Sequence, residues 1–414
     1  MPAVAIAFLG AIALWNPPPA ADPNPASLRP PEEVDLKARE LVRQLGHREF
    51  DEREDAQREL RELGRLALPA LRDGYEQSKV PEVIERCDQL LPRARTLDIK
   101  ARVDCFSADV DGKYEHHLPG AKEFFAVTGR TEQARSLYRD MVLSANQSLI
   151  VGVGGSERDL ARQAVARRIE LYPGRSIVIG GNITRQPVPP ALDIVALLFV
   201  ESTIPEKLLT EFGTAGGVAV TSPTLLLSQA TLRTALAAGD QKEAMTALVV
   251  RWLETREELR TVYSAMTTAA SLKLPVAATL AKKVLSTEGV SPLYRVQAAC
   301  NVAKVGKAED AALLAPLLKD ETQAHAGVVV VVNGNQQRSP VQVRDVALAM
   351  TLHLNGQDPT EFGMKSRYTT PTASEALKFS YLNYYFDDTD EKAGERRAEA
   401  FKKWDEWKAK QGKK

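Results

Sequence analysis

The sequence is short of cysteine and of net charge, and each shortage excludes a class of protein. Its 414 residues include three cysteines, none of them in a Cys-x-x-Cys pair, so neither a zinc knuckle nor a redox pair is expected. Lysine and arginine number 54, as do aspartate and glutamate. Because nucleic-acid binders need surplus positive charge for the phosphates, we expect no nucleic acid among the partners.

The cysteines are Cys87, Cys105 and Cys300. Cys87 lies on an apolar helical stripe, which favours a buried free thiol. A single disulfide between Cys87 and Cys105 is the alternative, since an exported protein can keep one.

Catalytic motifs are missing as well. HExxH, GxSxG, SxxK and the phosphate-binding P-loop do not occur in the sequence, although each would mark a known chemistry. Five histidines leave a general base open. His353 stands beside Leu352 and Leu354 on a helical face, where a structural role is expected. The sequence therefore predicts no catalytic residue, no cofactor and no metal.

Residues 149–163, LIVGVGGSERDLARQ, begin like a dinucleotide-binding turn. Gly152 and Gly154 fit that pattern, but the third glycine position holds Glu157, whose charge would repel a pyrophosphate at a helix N-terminus. Ser156 is instead expected to cap the following helix, with Asp159 beside it.

Residues 109–117, DVDGKYEHH, carry acids and two histidines that could gather a metal. An EF-hand loop starting at Asp109 is contradicted by Lys113 at its fifth position and Gly120 at its twelfth. The segment is therefore expected to be a polar connector before the helix of AKEFFAV. We also expect residues 176–184, SIVIGGNIT, to form a loop.

The N-terminus predicts export. Residues 3–15 form an apolar run with the length of a signal-peptide core, too short to span a bilayer. No lysine or arginine precedes the run and Pro19 fits a cleavage site poorly, so a cytoplasmic protein with an apolar tail is the alternative. We expect a signal peptide over residues 1–21 and no integral span after its removal. A proline-rich linker, extended and free of helix, should follow over residues 22–34.

Beyond the linker, glycine and proline divide a helical pattern into short helices. Asp51 is expected to cap the first of them. Gly64 should end it in a left-handed conformation. Pro69 and Pro81 should each lie in the first turn of the next helix, where a missing N–H breaks no hydrogen bond.

The same spacing returns later in the chain. Arg53-x-x-Ala56 is followed by Leu60, Leu63 and Gly64, and Arg295-x-x-Ala298 by Val302, Val305 and Gly306 at the same offsets. Arg344-x-x-Ala347 repeats the pattern with one residue more before Gly356. A two-helix unit cannot bury its apolar face alone, so such units must stack.

These segments resemble HEAT repeats, the helical pairs of α-solenoids. DEREDAQRELRELGRLALPAL and LYRVQAACNVAKVGKAEDAALLAPLL carry the resemblance most clearly, and VQVRDVALAMTLHLNGQDPTEFG and HLPGAKEFFAVTGR extend it. It is good over residues 35–95 and 288–360 and moderate around 116–142. The chain is further similar to exported bacterial HEAT-like proteins of unassigned function. The resemblance implies a scaffold that binds macromolecules on a curved surface, and it brings no catalytic residues.

The predicted fold class is all-α, a HEAT-like α-solenoid with one small inserted β-hairpin. Five consecutive valines before Asn333-Gly334 predict that hairpin over about 327–343. An apolar segment, residues 190–200, predicts a two-sided core helix. Phe401 and Trp404 should form the buried face of a C-terminal cap helix. The expected divisions after the linker are helical hairpins over 35–98, an irregular helical middle over 99–285, repeats over 286–360, and the cap and basic tail over 361–414.

The sequence thus predicts a non-catalytic, protein-binding scaffold of the envelope or exported space. Its partner and oligomeric state stay open. Candidate partner-binding residues on the second helices are Arg72, Asp73, Lys319 and Asp320. One alternative is an enzyme with an unrecognised site within residues 104–185, which a deep polar pocket would support. The other is a structural envelope component anchored by the Lys/Trp tail.

Overall fold

A computed structural model describes residues 21–172, 176–179, 182–185, 188–214, 224–332, 335–367, 375–386 and 392–411. These residues are mostly helical, in agreement with the all-α prediction. The chain divides into two compact units, with the boundary between Ala121 and Lys122. None of the described helices is both long and apolar enough to cross a bilayer.

Four α-helices lie wholly within the described residues of the first unit. They are α1 (Glu32–Gln44), α2 (Phe50–Leu63), α3 (Leu68–Gln77) and α4 (Pro81–Ala108), with short 3-10 helices at Pro25–Leu28 and Gly64–Ala67. Their buried faces form one apolar core, and its largest members include Leu41, Leu45, Leu60, Leu71, Cys87 and Leu91.

The helix ends and starts predicted from glycine and proline in this unit are largely confirmed. Gly64 has a positive φ of 56°, and Pro69 and Pro81 lie in the first turns of α3 and α4. The capping role of Asp51 is wrong. Because α2 begins two residues earlier than expected, Asp51 lies in its first turn and Glu49 holds the cap position without a side-chain hydrogen bond.

Two boundaries differ from expectation. The linker was expected to be free of helix, but Pro25–Leu28 forms a 3-10 turn that Asn24 caps by accepting from the N–H of Ala26 at 2.9 Å. Arg65 Nη1 donates to the Leu28 carbonyl at 2.7 Å and holds the turn against the helices. α4 also continues past residue 98 to Ala108.

The second unit contains most of the helices. They are α5 (Ala121–Thr128), which starts at the boundary, α6 (Glu132–Val142), α7 (Gln147–Val151), α8 (Glu157–Glu170), α9 (Ala191–Ser202), α10 (Glu206–Thr214), α11 (Thr224–Leu227), α12 (Ala230–Ala238), α13 (Lys242–Glu254), α14 (Leu259–Ser271), α15 (Val276–Ser286), α16 (Pro292–Val305), α17 (Val343–Leu354), α18 (Glu375–Lys378) and α19 (Ala393–Gln411). Short 3-10 stretches are Ala308–Lys319 and Pro359–Phe362.

α9 is the core helix that the sequence predicted. Every residue from Ile194 to Glu201 is buried, as expected for a helix that is apolar around most of its circumference. Phe199 packs edge-on against Phe124 of α5, with ring centroids 5.5 Å apart.

The strands form three antiparallel pairs among the described residues, where one was expected. β3 (Gln323–Val332) pairs with β4 (Asn335–Gln342) between two helical segments, as predicted; the turn residues Asn333 and Gly334 lie outside the described residues. The loop predicted for 176–184 is wrong, because β1 (Ser176–Ile179) pairs with β2 (Asn182–Arg185); Gly180 and Gly181 lie outside the description. The third pair is β5 (Lys365–Ser366) with β6 (Tyr384–Tyr385).

α19 packs on the end of the second unit. Ala400 and Trp404 are buried, and Phe401 is half-buried, which agrees with the predicted buried face. Arg397 donates to both carboxylate oxygens of Asp345 on α17, at 2.8 and 3.0 Å. The pair fixes the helix in place.

Candidate functional site: an arginine-lined cavity in the first unit

The four predicted binding residues belong to different units. Arg72 and Asp73 lie on α3 of the first unit, and Lys319 and Asp320 lie in the second. Arg72 and Lys319 are exposed. Asp73 accepts a hydrogen bond from Arg39 Nη1 at 2.7 Å and is half-exposed.

Asp320 differs most from its expected exposure. Its side chain is 13% exposed and is paired with Arg295. Burial favours a raised pKa for its carboxyl, but hydrogen bonds from Thr322 and Arg295 outweigh burial and lower the pKa. Asp320 therefore holds α16 to the segment before β3, and its carboxylate is committed within the protein.

Arg72 lines a cavity of about 470 Å3 that lies wholly within the first unit. Its lining includes Leu68 and Pro69 from the first turn of α3 and Arg102 from the part of α4 beyond residue 98. The full lining is Asn24, Pro25, Ala26, Leu28, Arg29, Pro30, Arg65, Leu68, Pro69, Arg72, Asp98, Arg102, Tyr114, Glu115 and His117.

Four of these lining residues are arginines, and two of the four are already used. Arg102 Nε bonds Asp98 Oδ2 at 2.6 Å, and Arg65 donates to the Leu28 carbonyl. Arg29 and Arg72 are exposed, and within the described part of the chain neither has an acidic partner in ion-pair range. Their guanidinium groups remain available for an oxyanion, which the planar fork can bind through two hydrogen bonds.

A buried acid–histidine pair lies in the segment that contributes Tyr114, Glu115 and His117 to the lining of the cavity. Asp109 and His116 are 3% and 6% exposed, and His116 Nε2 lies 3.0 Å from Asp109 Oδ2. Asp109 also accepts from the backbone N–H groups of Lys113 and Tyr114, both at 2.9 Å. Burial raises the pKa of Asp109, yet the two backbone bonds and His116 together lower it to about 2. The ionised carboxylate thus anchors the loop that brings Tyr114 to the cavity.

This pair was not predicted, although its residues stood out in the sequence. The sequence predicts a polar connector before the helix of AKEFFAV, and this prediction does not identify the buried pair within the connector. No common spacing marks this contact in the sequence, because an aspartate in a local turn usually accepts from the N–H two residues on, whereas Asp109 accepts from N–H groups four and five residues on. The described residues hold no cluster of three or more metal-binding side chains.

The segment that begins like a dinucleotide turn is helical. Leu149 and Ile150 belong to α7, where a nucleotide-binding turn requires a strand. Ser156 Oγ accepts from the N–H of Asp159 at 3.4 Å and caps α8, as predicted.

The second unit contains a buried charged cluster that the sequence analysis missed. Glu201 is fully buried, and its Oε1 is 2.7 Å from Arg168 Nη2. Arg256 is 1% exposed and stacks on the Trp252 ring, 4.7 Å from its centroid. Burial lowers the pKa of Arg256, and the charge of Glu201 opposes the shift. The signal was a glutamate that ends the most apolar helical run in the sequence.

Comparison with known proteins finds no matching family. No curated protein and no solved structure matches significantly either.

Proposed function

We propose that the protein is a non-catalytic scaffold that binds a protein partner on the surface around Arg72. The observation that carries the proposal is the cavity in which Arg29 and Arg72 present guanidinium groups without acidic partners. Exposed arginines at a concave surface are typical of binding sites, since they recognise anionic groups and are enriched at interfaces.

The cavity also lies where the enzyme alternative called for a pocket, near residues 104–120. Its chemistry favours binding instead. The described residues that line it include no serine, threonine, cysteine or lysine nucleophile. The Asp109–His116 pair is closed to a substrate, since its side chains are 2% and 4% exposed. The Glu115–His117 pair lines the cavity with its side chains 3.5 Å apart, and it has none of these nucleophiles beside it in the lining.

The proposed architecture remains a HEAT-like solenoid, and the repeated arginines support it. Arg53 Nη1 donates to the His47 carbonyl at 2.9 Å, and Arg295 Nε donates to the Val290 carbonyl at 3.1 Å. Each arginine thus ties its helix to the preceding connection. Arg344 departs from this pattern, because its Nε bonds the Gln342 side chain.

The residues three and seven positions after each arginine offer further support. All six are buried, namely Ala56, Leu60, Ala298, Val302, Ala347 and Thr351. Equivalent positions in successive repeats are expected to share such environments.

Export through residues 1–21 is also a proposal, with a cytoplasmic protein as the alternative; residues 1–20 lie outside the described part of the chain. Mass spectrometry of the mature N-terminus distinguishes the two. The structural envelope component is less favoured. Trp404 is 4% exposed and Trp407 stacks on it at 5.1 Å, so the aromatic face of the tail is largely used within the protein.

The experiment is affinity purification of the full chain from its native cells, with Arg72→Glu and Arg48→Glu baits beside the unaltered protein. Arg48 is an exposed arginine of the same unit that does not line the cavity. A partner that Arg72→Glu loses and Arg48→Glu retains supports the proposal. If every co-purifying protein is retained by both baits, this surface is not the binding site.

A further inference from the structure

The cavity around Arg72 has an uneven distribution of charge. Of its two acids, Asp98 bonds Arg102 at 2.6 Å and Glu115 lies 3.5 Å from His117 Nδ1. Arg65 donates to the Leu28 carbonyl, a neutral acceptor, so Arg29 and Arg72 are the two arginines of the lining that have neither a side-chain hydrogen bond nor an acidic partner among the described residues. A ligand that supplies two separate negative groups would complete the site.

We infer that the cavity receives a short acidic segment of a partner protein, with carboxylates bound by Arg29 and Arg72. The inference rests on the proposed scaffold function and adds the chemistry of the partner. Guanidinium forks pair with carboxylates through two parallel hydrogen bonds. The volume of about 470 Å3 falls within the range of about 300–1,000 Å3 that ligand cavities occupy.

The remaining lining favours a peptide over a phosphate group or a membrane surface. Pro25, Pro30 and Pro69 offer apolar faces to side chains, and Tyr114 adds a half-exposed ring. Asp98 and Glu115 can accept hydrogen bonds from the backbone N–H groups of a peptide. Phosphate has no N–H group to donate.

The test measures binding of a fluorescein-labelled tetraglutamate peptide to the full chain by fluorescence anisotropy, with tetraglutamine as the uncharged probe. The test variant is the Arg29→Gln/Arg72→Gln double substitution. The matched control is Arg48→Gln/Arg95→Gln, which removes the same charge from exposed positions outside the cavity. We expect tetraglutamate to bind at least tenfold more tightly than tetraglutamine. The dissociation constant should rise at least tenfold in the test variant and less than threefold in the control.

Three results would overturn the inference. Equal weakening in the two double variants would show that binding follows overall charge. Equal affinity for the two peptides would show that carboxylates are not recognised. Stronger, Arg72-dependent binding to inorganic phosphate or to phosphatidylglycerol vesicles would assign the cavity to a different anion.

Two further measurements keep the test decisive. Circular dichroism spectra that match the unaltered protein establish that the variants fold. If the double variant does not fold, the single Arg72→Gln variant replaces it, and this variant must weaken binding at least threefold. The purification experiment separates the two proposals. An Arg72-dependent partner together with no tetraglutamate binding refutes the acidic segment alone, whereas the absence of such a partner refutes the scaffold function at this surface.

Discussion

The indole Nε1 of Trp252 donates a hydrogen bond to Glu201 Oε2 at 2.8 Å and joins α13 to α9 inside the second unit. The other oxygen of the same carboxylate accepts from Arg168 on α8. Both oxygens of a fully buried acid are therefore satisfied, and three helices share one carboxylate. A buried charge is tolerated only with such partners.

Glu201→Gln should lower the free energy of unfolding of the second unit by about 3–5 kcal/mol, because Arg168 is left buried without its counter-charge. Urea unfolding followed by tryptophan fluorescence measures the change. Glu243→Gln, at an exposed position of α13, is the control and should alter stability by less than about 0.5 kcal/mol. A loss below about 1 kcal/mol for Glu201→Gln would contradict the conclusion that the buried Arg168 depends on the charge of Glu201.

Arg397→Gln should loosen α19 without unfolding the rest of the second unit. The substitution removes the Arg397 charge from the carboxylate of Asp345, which is 1% exposed, so local opening becomes easier. Hydrogen exchange with mass spectrometry should show faster exchange in α19. Lys410→Gln, on an exposed residue of the same helix, should leave exchange unchanged. Equal protection in both variants contradicts the assigned role of the pair.

Gly64→Val and Gly306→Val should each destabilise the protein by about 1–3 kcal/mol, for different reasons. Gly64 has φ +56°, where a β-branched residue is strained. The repeated spacing predicts a left-handed cap at Gly306 as well as at Gly64, and for Gly306 that prediction is wrong, because Gly306 is extended with φ −84° and ψ −179°. There an added Cβ would lie 2.5 Å from the Val302 carbonyl oxygen.

Alanine separates these two causes. Gly289 has φ +72° and no atom within 4 Å of an added Cβ, so Gly289→Ala reports backbone strain alone, about 1–2 kcal/mol. Gly306→Ala reports the steric contact alone. Thermal unfolding followed by circular dichroism measures each. A Gly306→Ala melt that matches the unaltered protein would show that the carbonyl contact is absent.

The Asp109 carboxylate should stabilise the first unit in a pH-dependent way. Its pKa in the folded protein is lowered to about 2 from an ordinary value of 3.8. The stabilisation is therefore complete above about pH 4 to 5 and is lost as the pH falls toward 2. The stability gap between the unaltered protein and Asp109→Asn, measured by urea unfolding, should shrink from pH 6 to pH 3. Asp111→Asn, at an exposed position, should show a small gap at both pH values.

The three thiols should react only after unfolding. Burial raises the pKa of Cys87 to about 11 and also raises the pKa of Cys105 and Cys300, and all three are buried and free. Titration with a thiol-specific disulfide reagent should find almost none in the native protein and three in urea. One reactive thiol in urea would instead indicate the Cys87–Cys105 disulfide.

Local signals in the sequence predicted helix boundaries well, because glycine and proline act through their own backbone geometry. Gly64, Pro69 and Pro81 behave as expected for that reason. Gly306 shows the limit of the argument, since a helix end can be followed by either a left-handed or an extended residue. Which one occurs depends on neighbours such as Asp310 that the local pattern does not specify.

Contacts between residues that are distant in sequence were harder to predict than helix boundaries. Arg72 was found from its place on a second helix. The cavity around it needs the 3-10 turn at Pro25–Leu28 and the loop anchored by Asp109, which meet only in the folded unit. The pairing of Glu201 with Trp252 also joins residues 51 positions apart in sequence. Periodicity identifies which face is buried, but it does not identify the polar groups that meet there.

The single helix α4 contributes residues both to the core of the first unit and to the lining of the cavity. Its 28 residues form a rod about 42 Å long. Cys87, near its start, is packed in the core, and Arg102, near its end, lines the cavity. Pro92 lies between them, at the position where a helix bends most easily. A change in bend at Pro92 would alter the width of the opening without touching any residue that lines it.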